Sequence, residues 1–294
     1  MNKTVKNFLL APFNLLYKIS PKVTLKVLFR IKCKSKLHLD NPVTYLEKMN
    51  WLKLNYRDDL MPKCADKYAA REYIESCGYS QYLPKIYWQG FSPDEIPFAE
   101  LPNEFVIKVT SGSGNNIICK DKSTISQNEV KKNLSRWLKE KYLPCYGEWH
   151  YGKVKPRIIV EEFLSDGNYV PVDYKLFCFN NVNGTTDVGC IAIDTGRYID
   201  HCRNIYDNEW NFLKDVSFGF SRDETAIAPK PDFYEEMRQI ARTLAKPFPH
   251  VRVDFFIVGD RFYIGELTFF NGAGFDNITP ADYNKQLGEW ISIL

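Results

Sequence analysis

Apolar positions fall three and four apart over Thr44 to Tyr56 (TYLEKMNWLKLNY), where Leu46, Met49, Trp51, Leu52 and Leu54 make one stripe, so the spacing predicts a helix after the Asn41-Pro42 boundary. The same period predicts helices over Ala65 to Ser76, stopped near Gly78, and over Gln127 to Lys141. Two more follow, over Asp232 to Ala245, which runs into Pro247, and over Asp282 to Ile293. Between them lie short apolar runs that read as strands: Glu104 to Val109 (EFVIKV), Ile117 to Cys119, Arg157 to Leu164 (RIIVEEFL), Asp173 to Phe179 (DYKLFCF) and Cys190 to Ile199. Helices and strands alternate without an internal repeat, and 294 residues suffice for two packed lobes. The fold class expected is α+β.

His250 to Phe270 (HVRVDFFIVGDRFYIGELTFF) holds two acids inside an otherwise plain hydrophobic hairpin. A three-residue turn at Gly259-Asp260-Arg261 centres the register on Asp260 and sets Asp254 across from Glu266, whereas a two-residue turn sends the two carboxylates to opposite faces. Opposed carboxylates roughly 5 Å apart at Cβ need a cation or a proton between them. Hard oxygen donors on a hairpin suit Mg²⁺. The plain alternative is a solvent-facing strand pair whose acids only solubilise an edge.

Single charges in apolar surroundings mark further candidates. Lys108 is the one charge in FVIKV, so its ammonium must reach water or an anion. After it, Ser111-Gly112-Ser113-Gly114-Asn115-Asn116 returns into a strand and reads as a hairpin flap whose backbone N–H groups are able to face an anion; it is not a Walker A loop, which opens a helix. Lys67 is expected in the first turn of a helix capped by Asp66, where the dipole slightly disfavours a cation and an anionic partner is invited, a surface lysine being the ordinary alternative. Glu161 and Glu162 close a strand, and one of them should meet a polar ligand or turn outwards. Asp173 and Lys175, two apart, share a strand face. His150, among Trp149 and Tyr151, reads first as a packing histidine and second as a ligand contact. Asn271-Gly-Ala-Gly274 is another loop able to bring N–H groups near a reacting group.

Composition narrows the partners. Of the 39 Lys and Arg residues, nine lie in residues 1–39, which contain no Asp or Glu, so the rest of the chain is net acidic and is not a general nucleic-acid binder. That basic segment alternates apolar clusters with lysines, is interrupted by Pro12 and Asn14, and is too short in apolar run to span a bilayer. It suits either an anionic membrane surface, as a peripheral contact through residues 1–36, or ordinary packing on the body with lysines in water. Eight scattered cysteines without C-x-x-C pairs read as reduced thiols of a cytosolic protein, at most attached to the inner face of a membrane.

The ordered set Asp66-Lys67, Val106-Ile107-Lys108 with SGSG, Glu161-Glu162-Phe163-Leu164, Asp173-Tyr174-Lys175, Arg252-Val253-Asp254 and Glu266-Leu267-Thr268 resembles the ATP-grasp superfamily. More narrowly, NPVTYLEKMNWLKL, ADKYAAREYI, EWHY and GELTF resemble its TupA-like branch, associated with teichuronopeptide and other surface-polysaccharide synthesis. The resemblance covers the chain from about residue 41. It implies an ATP-grasp fold, two α/β lobes with antiparallel sheets gripping a nucleotide between them. The implied divisions are a basic N-terminal helical segment (1–60), an ATP-grasp N-terminal subdomain with the flap (61–155) and a C-terminal subdomain with the metal site (156–294).

The resemblance further implies that Lys67 and Lys108 bind ATP phosphates beneath Ser111, Gly112, Ser113 and Gly114. Glu161 would accept from the adenine amino group, backbone groups of Glu162 and Leu164 would complete the ring's contacts, and Asp173 would hold the ribose. Asp254 and Glu266 would hold Mg²⁺, with Thr268 standing where many relatives have an asparagine ligand and Asn271 close in sequence but out of register. Arg252 and Lys175 would serve catalysis, the first at the acyl centre and the second near the transferred phosphoryl group. The implied activity is an ATP-dependent carboxylate–amine ligase joining a carboxylate, of the uronic-acid glycan type, to an amine such as an amino acid. A phosphotransferase, a glycosyltransferase and a non-catalytic nucleotide-binding module are the rival readings.

Overall fold

Two helices, α1 (Lys3–Ile19) and α2 (Pro21–Cys33), open the chain in the computed structural model, which describes residues 3–112, 114–165, 171–181, 183–196 and 201–293. Pro12 lies inside α1 without ending it. It sits on the exposed side, while Leu10, Phe13 and Tyr17 hold the helix to the body. Helix α3 (Tyr45–Asn55) starts at a capping box, Thr44 Oγ1 accepting from Glu47 N and Glu47 Oε2 accepting from Thr44 N.

Helices α4 (Leu60–Ala65) and α5 (Ala69–Ser76) replace the single helix expected from Ala65. The Asp66 carboxylate accepts from Tyr68 N and Ala69 N at 3.0 and 2.8 Å, so α5 begins later and Lys67 falls in the turn before it.

Strands β1 (Ile86–Gly90), β2 (Phe105–Val109) and β3 (Asn116–Cys119), helix α6 (Gln127–Leu138) and strand β4 (Ile158–Glu161) build the smaller lobe, a four-stranded sheet in the order β1-β4-β2-β3. β4 lies beyond residue 155, so this sheet draws on both sides of the expected subdomain boundary. It ends at Glu161, short of the expected Leu164, because Glu162 N turns to Lys85 O. Alternation along β2 puts Phe105, Ile107 and Val109 into a core with Ile158, Val160 and, from α6, Val130 and Leu134. The opposite face of β2 carries Lys108.

The larger lobe follows with β5 (Asp173–Asn180), β6 (Thr186–Thr195), β7 (Cys202–Asp207), β8 (Ser217–Phe218), α7 (Tyr234–Ala245), β9 (His250–Val258), β10 (Arg261–Thr268), β11 (Ile278–Thr279) and α8 (Ala281–Glu289). Its five-stranded antiparallel sheet has the order β10-β9-β5-β6-β7, while β8 and β11 pair separately. The strand expected over Cys190 to Ile199 starts earlier, at Thr186, and residues 197–200 lie outside those described. Leu176, Ile191, Val253 and Phe255 on one face join Met237, Ile240 and Leu244 of α7 in the main core, each such burial contributing about 1.5–3 kcal/mol. The other face changes character along its length. At one end Phe179 and His250, the latter stacked on Phe177, pack on Tyr45 of α3, whose hydroxyl lies 3.1 Å from His250 Nε2. At the other end it carries charges, and these face the smaller lobe.

Candidate active site

Val258 pairs with Arg261, so the turn between β9 and β10 is only Gly259-Asp260, one residue shorter than the sequence suggests, with Gly259 at φ 58°. Such a turn alone would put Asp254 and Glu266 on opposite faces. A bulge between Ile264 and Glu266 corrects the register and pairs Glu266 with Asp254. Gly265 occupies it, and a Cβ there would stand 2.6 Å from Phe256 Cε2 and 3.3 Å from Asp254 O. The missing side chain is what lets the two acids face each other.

Around this pair the charges interlock. The Arg252 guanidinium donates twice to Asp254, Nε to Oδ1 and Nη2 to Oδ2, both at 2.6 Å. It also donates to Thr268 Oγ1 at 3.1 Å, to Glu266 Oε1 at 3.4 Å and to Asn271 Oδ1. Burial disfavours the charged guanidinium, but the adjoining Asp254 and Glu266 carboxylates together outweigh it and Arg252 holds its proton more tightly than usual. Lys175, only 2% exposed, donates to Asp173 and, at 3.1 Å, to Asp254, with Asp194 Oδ2 at 3.6 Å. Arg203 forks onto Asp194 at 2.5 and 2.8 Å. Although burial raises the Asp194 pKa, Arg203 and Lys175 together take it down to about 2.

The smaller lobe supplies Lys108 and Glu161 of the facing wall, and the turn between α4 and α5, helices that pack into the main core through Met61, Cys64, Ala70 and Ile74, supplies Lys67. Lys108 and Glu161 lie on one face of paired strands as diagonal neighbours and form an ion pair. Lys67 Nζ donates to Gly112 O at 2.7 Å and lies 3.6 Å from Glu266 Oε2, joining the flap to the hairpin of the other lobe. Gly112 and Gly114 take φ of 74° and 78° with open space where a Cβ would be, so backbone conformation alone favours glycine there. One cleft between the lobes is thus lined by Lys67, Lys108, Gly112, Gly114, Glu161, Glu162, Leu164, Asp173, Asp254 and Glu266. Ser111, Lys175, Arg252 and Thr268 are not among its lining residues, and Ser113 lies outside those described. Lys175 in particular sits among acids rather than on the cleft surface.

Several contributors take roles that the sequence pattern does not assign them. Asn271 bridges Arg252 and Asp276. Its loop continues through Gly272, Ala273 and Gly274 at φ 53°, 52° and 65°, and is held from behind by α3. There Asn50 Nδ2 donates to Gly274 O at 2.8 Å, and Lys53, fully buried, donates to Ala273 O. Asp194 closes the apolar run CIAID, the same sign that singled out Lys108. His150 is packed at 1% exposure among Tyr151, Phe269 and Phe270, and burial lowers its pKa to about 3.

Among solved structures, the chain is similar to an ADP complex of purK, an N5-carboxyaminoimidazole ribonucleotide synthetase, at 16% identity, covering 76% of this chain and 50% of that one with a TM-score of 0.45. It is also similar to the ATP-grasp ligase PsnB complexed with minimal precursor, at 11% identity, 76% and 59% coverage and a TM-score of 0.40. A third is the D-alanine–D-alanine ligase from Bacillus anthracis complexed with ATP, at 12% identity, 70% and 54% coverage and a TM-score of 0.40. The chain therefore spans about half the length of these structures. No curated protein matches it. The family model described as TupA-like ATP-grasp matches residues 47–292, which is most of the sequence, and the chain belongs to that family.

Proposed function

We propose that the protein is an ATP-dependent carboxylate–amine ligase that forms an amide through an acyl phosphate. The observation that carries this reading is the meeting, in one cleft, of Lys108 from the smaller sheet and Lys67 from the α4–α5 turn with the in-register acids Asp254 and Glu266. Its substrates would be a uronic acid of a surface polysaccharide or its precursor, and an amino acid as the amine.

Donor chemistry supports Mg²⁺. Among the described residues no three or more His, Cys, Asp or Glu side chains gather as a metal cage. Mg²⁺ ordinarily uses one or two carboxylates and takes its remaining oxygens from water and phosphates. Asp254 and Glu266 would hold it, with Thr268 Oγ1, 3.5 Å from Glu266 Oε1, as a further oxygen. Bound there it would neutralise phosphate charge.

Lys67 and Lys108 would bind phosphate oxygens beneath the 111–114 flap. Glu161, Glu162 and Leu164 would hold the base, and Asp173 the ribose. A carboxylate oxygen attacks the γ-phosphorus, the bond to the β–γ bridging oxygen breaks, and ADP leaves. The amine nitrogen then attacks the acyl carbon, the carbon–oxygen bond to phosphate breaks, and phosphate departs as the nitrogen loses a proton. Neither step needs a protein nucleophile; both need positioning and charge stabilisation. Arg252 would supply positive charge at the acyl centre while fixing Asp254, and Lys175 would hold Asp173 and Asp254 in place.

Incubation with ATP, Mg²⁺, candidate uronates and amino acids should release ADP and phosphate in step with an amide, and Glu266→Gln should abolish turnover. ADP release that ignores the amine and yields a phospho-sugar without free phosphate would make the protein a phosphotransferase instead.

A further inference from the structure

Helices α1 and α2 each carry two apolar faces, where packing on a protein body needs one. On α1 the inner face is Leu10, Phe13 and Tyr17, set against the main core. Phe8, Leu15 and Ile19 lie on the other side, 80%, 62% and 76% exposed. On α2, Leu25, Leu28 and Phe29 are buried, while Val23, Val27 and Ile31, spaced four apart, are 47%, 37% and 59% exposed. A lone exposed apolar side chain is ordinary, but stripes on two successive helices mark an interaction surface. The adjoining charge is mainly positive, the one acid beside it being Asp40, which Lys22 engages at 2.6 Å. Lys26 and Arg30, also spaced four apart, run beside the Val23–Ile31 stripe, Lys34 follows just past the end of α2 at φ 55°, and residues 1–39 hold nine cations and no acid.

We propose that the outer face of α1 and α2 docks on an anionic lipid bilayer, its apolar side chains sunk among the headgroups and its lysines and arginine on the lipid phosphates. The arrangement is that of a helix lying in the interface plane. Among the described residues no helix is long and apolar enough to cross a membrane. A second copy of the chain is a poor occupant, because each copy would bring the same unbalanced cations to the contact.

The test is sedimentation of the full chain with vesicles of phosphatidylcholine alone and of phosphatidylcholine mixed with phosphatidylglycerol. The anionic vesicles should carry the protein down, less so as salt rises. Replacing Lys26, Arg30 and Lys34 together with glutamine should weaken binding about a hundredfold, roughly fivefold per cation. Phe8→Ser with Ile19→Ser should weaken it as well, and both variants should keep the parent's circular dichroism spectrum and unfolding midpoint. Equal binding to the two vesicle types, no binding to either, or indifference to both sets of substitutions overturns the proposal. So does a dimer in light scattering that Phe8→Ser with Ile19→Ser dissociates, or an acidic protein partner that binds this face while anionic vesicles do not.

Discussion

Glu266 faces Asp254 across β9 and β10 although the turn joining those strands is one residue too short for that pairing, and the bulge at Gly265 makes up the difference. Gly265→Ala would drive a methyl group into the Phe256 ring and crowd Asp254 O. The expected cost is about 1–3 kcal/mol in stability from overpacking. Turnover should fall at least about tenfold, because misplacing a substrate-positioning group is itself that costly. Adding Phe256→Leu should recover part of both. ADP release measured beside thermal unfolding decides it; a destabilised Gly265→Ala protein with full turnover would show that the bulge does not serve the acids.

Arg252→Gln leaves Asp254, 2% exposed, with Lys175 as its remaining cation. Breaking a buried pair from one side costs about 3–5 kcal/mol, so urea unfolding should shift by that much. Arg252→Lys restores charge without the fork and should recover stability more fully than turnover.

Lys53 is fully buried and ties α3 to the loop that carries Asn271. Burial pushes its pKa down to about 7. Lys53→Met removes a desolvated cation but takes the donor from the buried Asn50 Oδ1 and Ala273 O, so stability should fall by about 1–3 kcal/mol. The loop would lose its anchor and kcat should drop roughly tenfold. A fall in stability with kcat intact would make Lys53 structural only.

Asp194 has its folded pKa lowered from 3.8 to about 2, chiefly by Arg203 and Lys175 acting against burial. A depressed carboxylate stabilises the fold above its unfolded pKa, and that contribution fades as pH falls through the folded value. About 2 kcal/mol should therefore be present at pH 5 and vanish between roughly pH 4 and 2. Asp194→Asn should flatten stability across that window in denaturant titrations; an unchanged slope would contradict the assignment.

Helix α7 was legible because burial on one face imposes its period on the residues; α3, with Glu47, Asn50 and Lys53 buried beside its apolar residues, and β9, buried on both faces from His250 to Phe255, were legible from apolar spacing and length. β1 (IYWQG) and β7 (CRNIYD) were not: each is an edge strand, and β1 is half-buried without clean alternation. Lys108 and Glu161 stood out as charges at apolar positions, yet their pairing depends on β4 lying beside β2, a fact of sheet order that local pattern does not carry. The turn length was misread because Gly259-Asp260-Arg261 fits either count, and the compensating bulge has no signature beyond a glycine in a strand. The roles of Asn271, Asp194 and Lys53 arise from contacts between residues distant in sequence.

The charged face of the larger sheet shares its partners so thoroughly that evolution must handle it as a block. Lys175 alone serves Asp173, Asp194 and Asp254. A lineage that lost this lysine by itself would be left with three buried carboxylates crowding two arginines, Arg203 and Arg252. Drift there must proceed through compensated double changes, such as Lys175→Met accompanied by Asp173→Asn. Single replacements at cleft-rim residues outside this network face no such barrier, so substrate preference within the family should diversify there first.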